Sequence, residues 1–254
     1  MRARIASPLA VAWPPVALAV VAVAIWQGVV VLGKVPEFLL PAPGAILGDL
    51  LAHPGLIGSA TLVTGLNGLV GLVVGAVVAV VLAAVAAAVR FFDRMSAPIV
   101  AAVAVVPIVS LAPVCYTMFG AASQQPRQYI AAVAAFAPVF LTTLRGLRQV
   151  RPVHRDLMTA YAASGWQATR TVTLPGALPY LFSGLNVASS LAVISALVTE
   201  YFGGPRDGLG SLITSAAATS NYATAWAYVF GAIVLGLVFY LVTLALEWFA
   251  SRRA

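Results

Sequence analysis

The chain has 254 residues, of which 62% are hydrophobic and 8% charged, and its mean hydropathy is +1.01. That balance excludes an ordinary water-soluble domain, because the apolar runs exceed the ~18 residues that mark a bilayer span. The formal charge of +7 reports membrane orientation before it points to nucleic acid, and the single Cys115 excludes an internal disulfide.

The apolar runs are continuous and lack strand-like alternation, so an all-α membrane protein is predicted rather than a barrel. Six spans fit, at about 11–32, 60–89, 95–119, 128–147, 176–199 and 223–250. The first is read as a retained span, since no small-residue cleavage site follows Met1 and Arg2 at signal-peptide distance. Residues 1–35 thus form an N-terminal span unit, 36–59 an outer loop, and 60–250 a core of five spans. In the loop, prolines end helices and AILGDLL is predicted as one short interfacial turn. A tight turn, Arg90 to Arg94, is predicted between spans two and three.

Counting Lys and Arg sets the orientation. One side holds Arg2, Arg4, Arg90, Arg94, Arg145, Arg148, Arg151, Arg155, Arg170, Arg252 and Arg253; the other holds Lys34, Arg127 and Arg206. Positive loops stay inside, so both termini and the polar stretch 145–179 are cytoplasmic.

That stretch reads RGLRQVRPVHRDLMTAYAASGWQATRTVTLPGALP and is heavily punctuated. Pro152 suits a first helical turn, and Asp156 falls near the positive end of the helix that follows. Leu157, Met158, Tyr161 and Ala162 give that helix one apolar face. Ser164 and Gln167 match a capping box, so a second short helix is predicted after Ser164, with a bend around Ala162–Gly165. Pro175 is predicted to end or redirect it, and so small a piece calls for a partner to pack against.

These residues carry a resemblance. The segment is similar to the cytoplasmic signature loop of permease subunits from binding-protein-dependent ABC importers, whose pattern is Glu-Ala-Ala, three residues, Gly, and later Leu-Pro. Anchored on Leu174-Pro175, the Glu position falls on Asp156, the two Ala positions on Leu157 and Met158, and the Gly position on Ala162. The nearest glycine is instead Gly165. Ala-Ser-Gly-Trp-Gln and Leu-Pro-Gly-Ala-Leu-Pro resemble the nitrate, sulfonate, taurine and pyrimidine-precursor branch. So do Leu40-Pro41-Ala42-Pro43, Glu200-Tyr-Phe-Gly-Gly204 and Gly208-Leu-Gly210. The resemblance spans about residues 36–250.

It implies the type I importer fold with both termini cytoplasmic, in the bacterial inner membrane. It implies docking of Asp156, Leu157, Met158, Tyr161, Ala162, Ser164 and Gly165 onto a separate ABC ATPase dimer, which binds ATP and Mg. It further implies a second permease copy, most simply a homodimer, and an extracytoplasmic substrate-binding protein. The cargo implied is a small polar organic solute or oxyanion: a sulfonate, taurine, nitrate, or a pyrimidine or vitamin precursor. An amphipathic loop lying in the headgroups, with Arg145, Arg148 and Arg151 on anionic lipid, is the plainer reading of the same stretch, and the three arginines also serve as topology anchors.

Other motifs carry less. Gly28 to Lys34 matches a phosphate loop, but Val35 replaces the Ser or Thr that would hold magnesium, and Lys34 is the only lysine. His53 and His154 fall on opposite sides of the membrane and cannot share a metal. No enzyme motif is present, and Glu37, Asp49 and Asp207 read as solvated outside the hydrocarbon. Ser110, Asn186, Ser189 and Ser190 are candidates for a translocation path or for interhelical hydrogen bonds. Glu200 reads equally as a gate residue or a solvated helix end. Pro107 and Pro113 break span three, and Gly65, Gly68, Gly71 and Gly75 mark close helix packing in span two. A self-sufficient carrier or channel is the alternative, but it would call for a mid-span coupling acid and often a repeat, and neither is evident.

Overall fold

The computed structural model describes residues 8–150 and 152–252. Of the basic residues counted above, Arg2, Arg4, Arg151 and Arg253 lie outside them, as does the start of the first span unit. The described residues form helices and connecting turns, with no strand among them.

Eleven helices follow in order: α1 (Pro8–Leu32), α2 (Pro43–Ala52), α3 (Pro54–Ala88), α4 (Arg90–Val105), α5 (Ile108–Phe119), α6 (Gln125–Arg148), α7 (Pro152–Ala160), α8 (Gly165–Ala168), α9 (Leu174–Tyr201), α10 (Leu209–Ala218) and α11 (Tyr222–Ser251). Among the described residues, four continuous helical stretches are long and apolar enough to cross a membrane: Pro54–Ala88, Gln125–Arg148, Gly165–Tyr201 and Tyr222–Ala250. The 25-residue α1 lies where the first span was predicted, and α4 with α5 where the third was.

Three boundaries differ from the sequence reading. The span predicted to start at 60 starts at Pro54, because Pro54 fits a first helical turn and the chain is already helical on both sides of His53. The predicted turn Arg90–Arg94 is the first turn of α4. Only Val89 is extended (φ −120°, ψ 111°), and Asp93 sits where the helix dipole favours an acid. The third predicted span is two helices. Val106, extended before Pro107 (ψ 124°), breaks it, as the residue before a proline tends to do, and Pro107 then opens α5. Ser110 is exposed there, and its hydroxyl donates to the Pro107 carbonyl at 2.6 Å, closing the break locally.

The core is a sandwich of small residues. α6 lies between α3 and α9, with Ala79, Ala83, Ala131, Ala135, Ala188 and Ala192 fully buried where they meet. In a bilayer, lipid competes with side chains for apolar contact, so close backbone approach and good packing must supply the association. Four of the six glycines of α3 show how. A Cβ on Gly71 would overlap the Ala131 methyl, and one on Gly75 the Ala132 carbonyl oxygen, both on α6. Gly68 instead meets Val193 of α9 and Gly65 meets Leu235 of α11, so α3 contacts three helices through its smallest residues. α11 covers the other side of α9. α1 stands apart: Gln27 accepts the Gly44 N–H at 2.9 Å, and Trp26 lies against Trp226 with ring centres 5.5 Å apart. Its remaining described apolar residues are largely exposed.

Gly75→Leu is therefore expected to push α6 off α3 and destabilise the bundle by about 1–3 kcal/mol, the usual range for overpacking. Gly236→Leu, at a position with open space around it, is the control. Thermal melts of both variants in detergent check this, with a lower Tm expected for Gly75→Leu alone.

Candidate functional site

Two features stand out against the apolar bundle: the exposed cytoplasmic turn and a buried polar network at the opposite end.

The turn begins with α7, started by Pro152, and reverses after Ala160. Ala162 N–H donates to the Thr159 carbonyl at 3.0 Å and Ala163 N–H to the Met158 carbonyl at 3.0 Å. That pair of bonds is a Schellman ending, which needs a left-handed residue at its corner, and Ala162 supplies it with φ 49°. The strain falls on the residue that the Leu174-Pro175 anchoring sets at the family's glycine. Ser164 then caps α8. Its hydroxyl accepts from Gln167 N–H, and the Gln167 side chain accepts from Ser164 N–H at 2.8 Å, completing the capping box.

The second helix does not end at Pro175. It runs on through a π turn, Thr169–Thr173, into α9, making one helical stretch from Gly165 to Tyr201. A proline inside a helix removes one donor and crowds the preceding turn, and Pro175 sits where the wider π turn has just relieved that crowding. The predicted second short helix is thus the cytoplasmic end of span five.

Of the residues singled out for docking, Asp156, Leu157, Tyr161, Ala162, Ser164 and Gly165 are exposed. Met158 is not among them. It is half-buried and lines a cavity with Leu147, Val150 and Val172. Val153 and Trp166, which the sequence pattern did not single out, extend the outward apolar face; Tyr161 is 75% exposed and Trp166 69%.

The second feature is centred on Arg127, at the start of α6 and 0% exposed. Its Nη1 donates to Asp207 Oδ1 at 2.8 Å and to Gln124 Oε1 at 2.7 Å, its Nη2 to the Pro205 carbonyl, and its Nε reaches Tyr116 Oη at 3.5 Å. Glu200, 2% exposed, lies 3.6 Å from Nη1. Its carboxylate accepts from the Thr64 hydroxyl of α3 at 3.0 Å and from Gly210 N–H at 2.7 Å, while Thr64 accepts from Leu209 N–H at 2.9 Å. Gln124 donates to Asp207 at 2.7 Å, Asn67 to Gln124 at 2.8 Å, and Gln128 to Asn67 at 3.0 Å. Glu200 is therefore not a solvated helix end. Asp207, read as simply solvated, is half-exposed and paired with a buried guanidinium.

The glycines around it are part of the design. Gly204 is left-handed (φ 95°), and a Cβ there would strike the Tyr116 ring. A Cβ on Gly208 would strike the Glu200 carboxylate, and one on Gly210 the Leu197 carbonyl. The Glu200…Gly204…Gly208-Leu-Gly210 spacing in the sequence is the trace of this packing.

The path candidates separate. Asn186 donates to Glu247 of α11 at 2.6 Å. Ser189 is fully buried, donates to the Asn186 carbonyl at 2.9 Å and lies 3.5 Å from the Thr243 hydroxyl. Both tie α9 to α11. Ser190 is half-buried on α9, and Glu247 was missed because a lone acid near a helix end carries no pattern. His53 lies on the Asp49 side chain at 3.6 Å.

Comparison with known proteins adds the following. Residues 79–254 match the family described as binding-protein-dependent transport system inner membrane component. The chain is 37% identical to the riboflavin transport system permease protein RibX of Chloroflexus aurantiacus, over 80% of this chain and 77% of that one. It is 28% identical to a probable ABC transporter permease protein of Haemophilus influenzae, covering 94% and 95% of the two chains. It is 25% identical to the taurine transport system permease protein TauC of Escherichia coli, over 90% and 84%. Its fold is similar to that in a crystal structure of an amino acid ABC transporter, with TM-score 0.62, 13% identity, and coverage of 81% and 97%.

Two outcomes are expected. Ala162→Gly removes left-handed strain and stabilises the turn by about 1 kcal/mol, read as slower amide hydrogen exchange across 157–164. Arg127→Met leaves Glu200 and Asp207 without their counter-charge and costs about 3–5 kcal/mol. Arg127→Met/Glu200→Gln should cost less than the sum of the two single changes, in a double-mutant cycle followed by denaturation in detergent.

Proposed function

The chain belongs to the family of binding-protein-dependent ABC importer permeases, and from that membership we propose the route by which energy and cargo reach it. It is a multi-pass transport component of the cytoplasmic membrane rather than an enzyme, and the family works with an ATPase and a substrate-binding protein.

The exposed apolar face of the cytoplasmic turn carries the reading. Val153, Leu157, Tyr161 and Trp166 are all exposed, and an exposed apolar patch on a cytoplasmic turn is the kind of surface a protein partner covers. In the proposal this face fills a cleft on each ATPase subunit, and Asp156 meets a basic residue there. ATP and Mg bind to the ATPase pair. Closure of that pair favours one arrangement of two permease copies, which fits a homodimer. A ligand shifts only equilibria between states it distinguishes, so the ATPase must hold the turn more tightly in one arrangement.

For cargo we propose a small polar organic solute or oxyanion delivered by the extracytoplasmic binding protein. Within that class a nitrogen heterocycle stands first. The relatives supporting it are a riboflavin permease at 37% identity and a formylaminopyrimidine permease of Halalkalibacterium halodurans at 30%, the latter over 46% of this chain. Sulfonate and taurine permeases support the wider class at 28% and 25%.

Asp156→Lys is expected to lower ATPase co-purification and uptake at least ~10-fold, the effect of ~1.4 kcal/mol lost at a charged contact, while membrane insertion stays intact. Normal coupling in that variant removes Asp156 from docking. For cargo, thermal-shift screening of the partner binding protein should give its largest Tm rise with riboflavin or a formylaminopyrimidine. A larger rise with taurine or an alkanesulfonate overturns the heterocycle choice.

A further inference from the structure

Between the start of α4 and the end of α6 runs a groove with a graded lining. Phe140, Leu141 and Leu144 form its wall, and Ser96, Arg145 and Arg148 its rim. Arg148 is committed to Asp93, with which it forms an ion pair. Arg145 is exposed and, among the described residues, makes no ion pair and no side-chain hydrogen bond. The helical rise from Phe140 to Arg148 is roughly 12 Å, so apolar wall passes to cationic rim over the depth at which acyl chain gives way to headgroup. Phe91, Phe92 and Met95 expose further apolar surface on the same end of α4, beside Arg90 and Arg94. The charge count sets this end on the cytoplasmic side.

We infer that this groove is a binding site for an anionic phospholipid of the cytoplasmic leaflet, with the phosphate on Arg145 and an acyl chain along Leu141 and Leu144. A guanidinium presents a planar fork of donors that matches phosphate oxygens, and basic pockets between helices on this side of a membrane hold acidic headgroups. A soluble phosphate would use the rim alone; a lipid also covers the exposed side of Leu141, which lies at acyl-chain depth. Asp93 supports the selection, since it holds Arg148 at the rim and leaves Arg145 as the available cation. The inference is independent of ATPase docking, which uses the outward face of α7 and Trp166.

The test is native mass spectrometry of the full chain in detergent with added phosphatidylglycerol, phosphatidylcholine or glycerol phosphate. Retention of phosphatidylglycerol over phosphatidylcholine is expected, undisturbed by millimolar glycerol phosphate. Arg145→Gln should lower retention about fivefold, the weight of one basic residue at an anionic surface. Arg145→Lys should lower it less, and Arg170→Gln, an equal loss of charge on the π turn outside the groove, should leave it unchanged. Equal losses in Arg145→Gln and Arg170→Gln would show general charge attraction and overturn the site. Unchanged retention in Arg145→Gln overturns it too, as does displacement by glycerol phosphate or by the bound ATPase. Matching size-exclusion profiles for all variants separate lost binding from lost fold.

Discussion

A guanidinium with no access to solvent constrains the rest of this molecule. Taking Arg127 out of water costs several kcal/mol unless its donors are met. They are met from α5, the residue that caps α6, the loop after α9, and, through the Glu200 charge, α9 itself. Two acids face one base, and the excess negative charge on Glu200 is offset by the Thr64 hydroxyl and the Gly210 N–H. No element in this set can shift alone without stranding a buried polar group. Small residues let α3, α6 and α9 come close; the network fixes where along their length they meet.

The cytoplasmic end is built the other way. There the polar groups are satisfied locally, by a Schellman ending and a capping box, and the apolar side chains face outward. A segment that satisfies its own backbone keeps its shape without its partner, and so offers a preformed surface. Met158, half-buried, faces the cavity between the turn and the bundle instead.

How much of this was legible follows from the range of each interaction. The capping box lies within four residues and was readable as Ser164 and Gln167. A bend around Ala162–Gly165 was readable too, but that its left-handed corner is Ala162 was hinted at only by the resemblance, because no alanine signals a left-handed backbone. The two breaks at Val89 and Val106 differ in the same way. Pro107 announces one; the other is marked by the charged Arg90–Arg94 that ends the apolar run, but nothing local shows that the helix restarts at once there rather than turning. The network was the least readable. Thr64 and Glu200 are 136 positions apart and Arg127 and Asp207 are 80 apart, so no window of sequence holds both partners. Arg127 was visible only as one charge on the minority side of a count. The glycines after Glu200 were visible as a motif, but their reason, a carboxylate filling the space a side chain would need, exists only in three dimensions.

The continuous helix from Gly165 to Tyr201 begins beside the exposed turn and ends beside the buried carboxylate of Glu200. Its 37 residues, at 1.5 Å each, make a rod of roughly 55 Å. A rod fixed at the Glu200 end and packed along its shaft against α6 and α11 carries a push at its cytoplasmic tip into those helices. The π turn and Pro179 interrupt the hydrogen-bond ladder at its cytoplasmic end, so bending there takes up part of any displacement before it reaches the packed shaft.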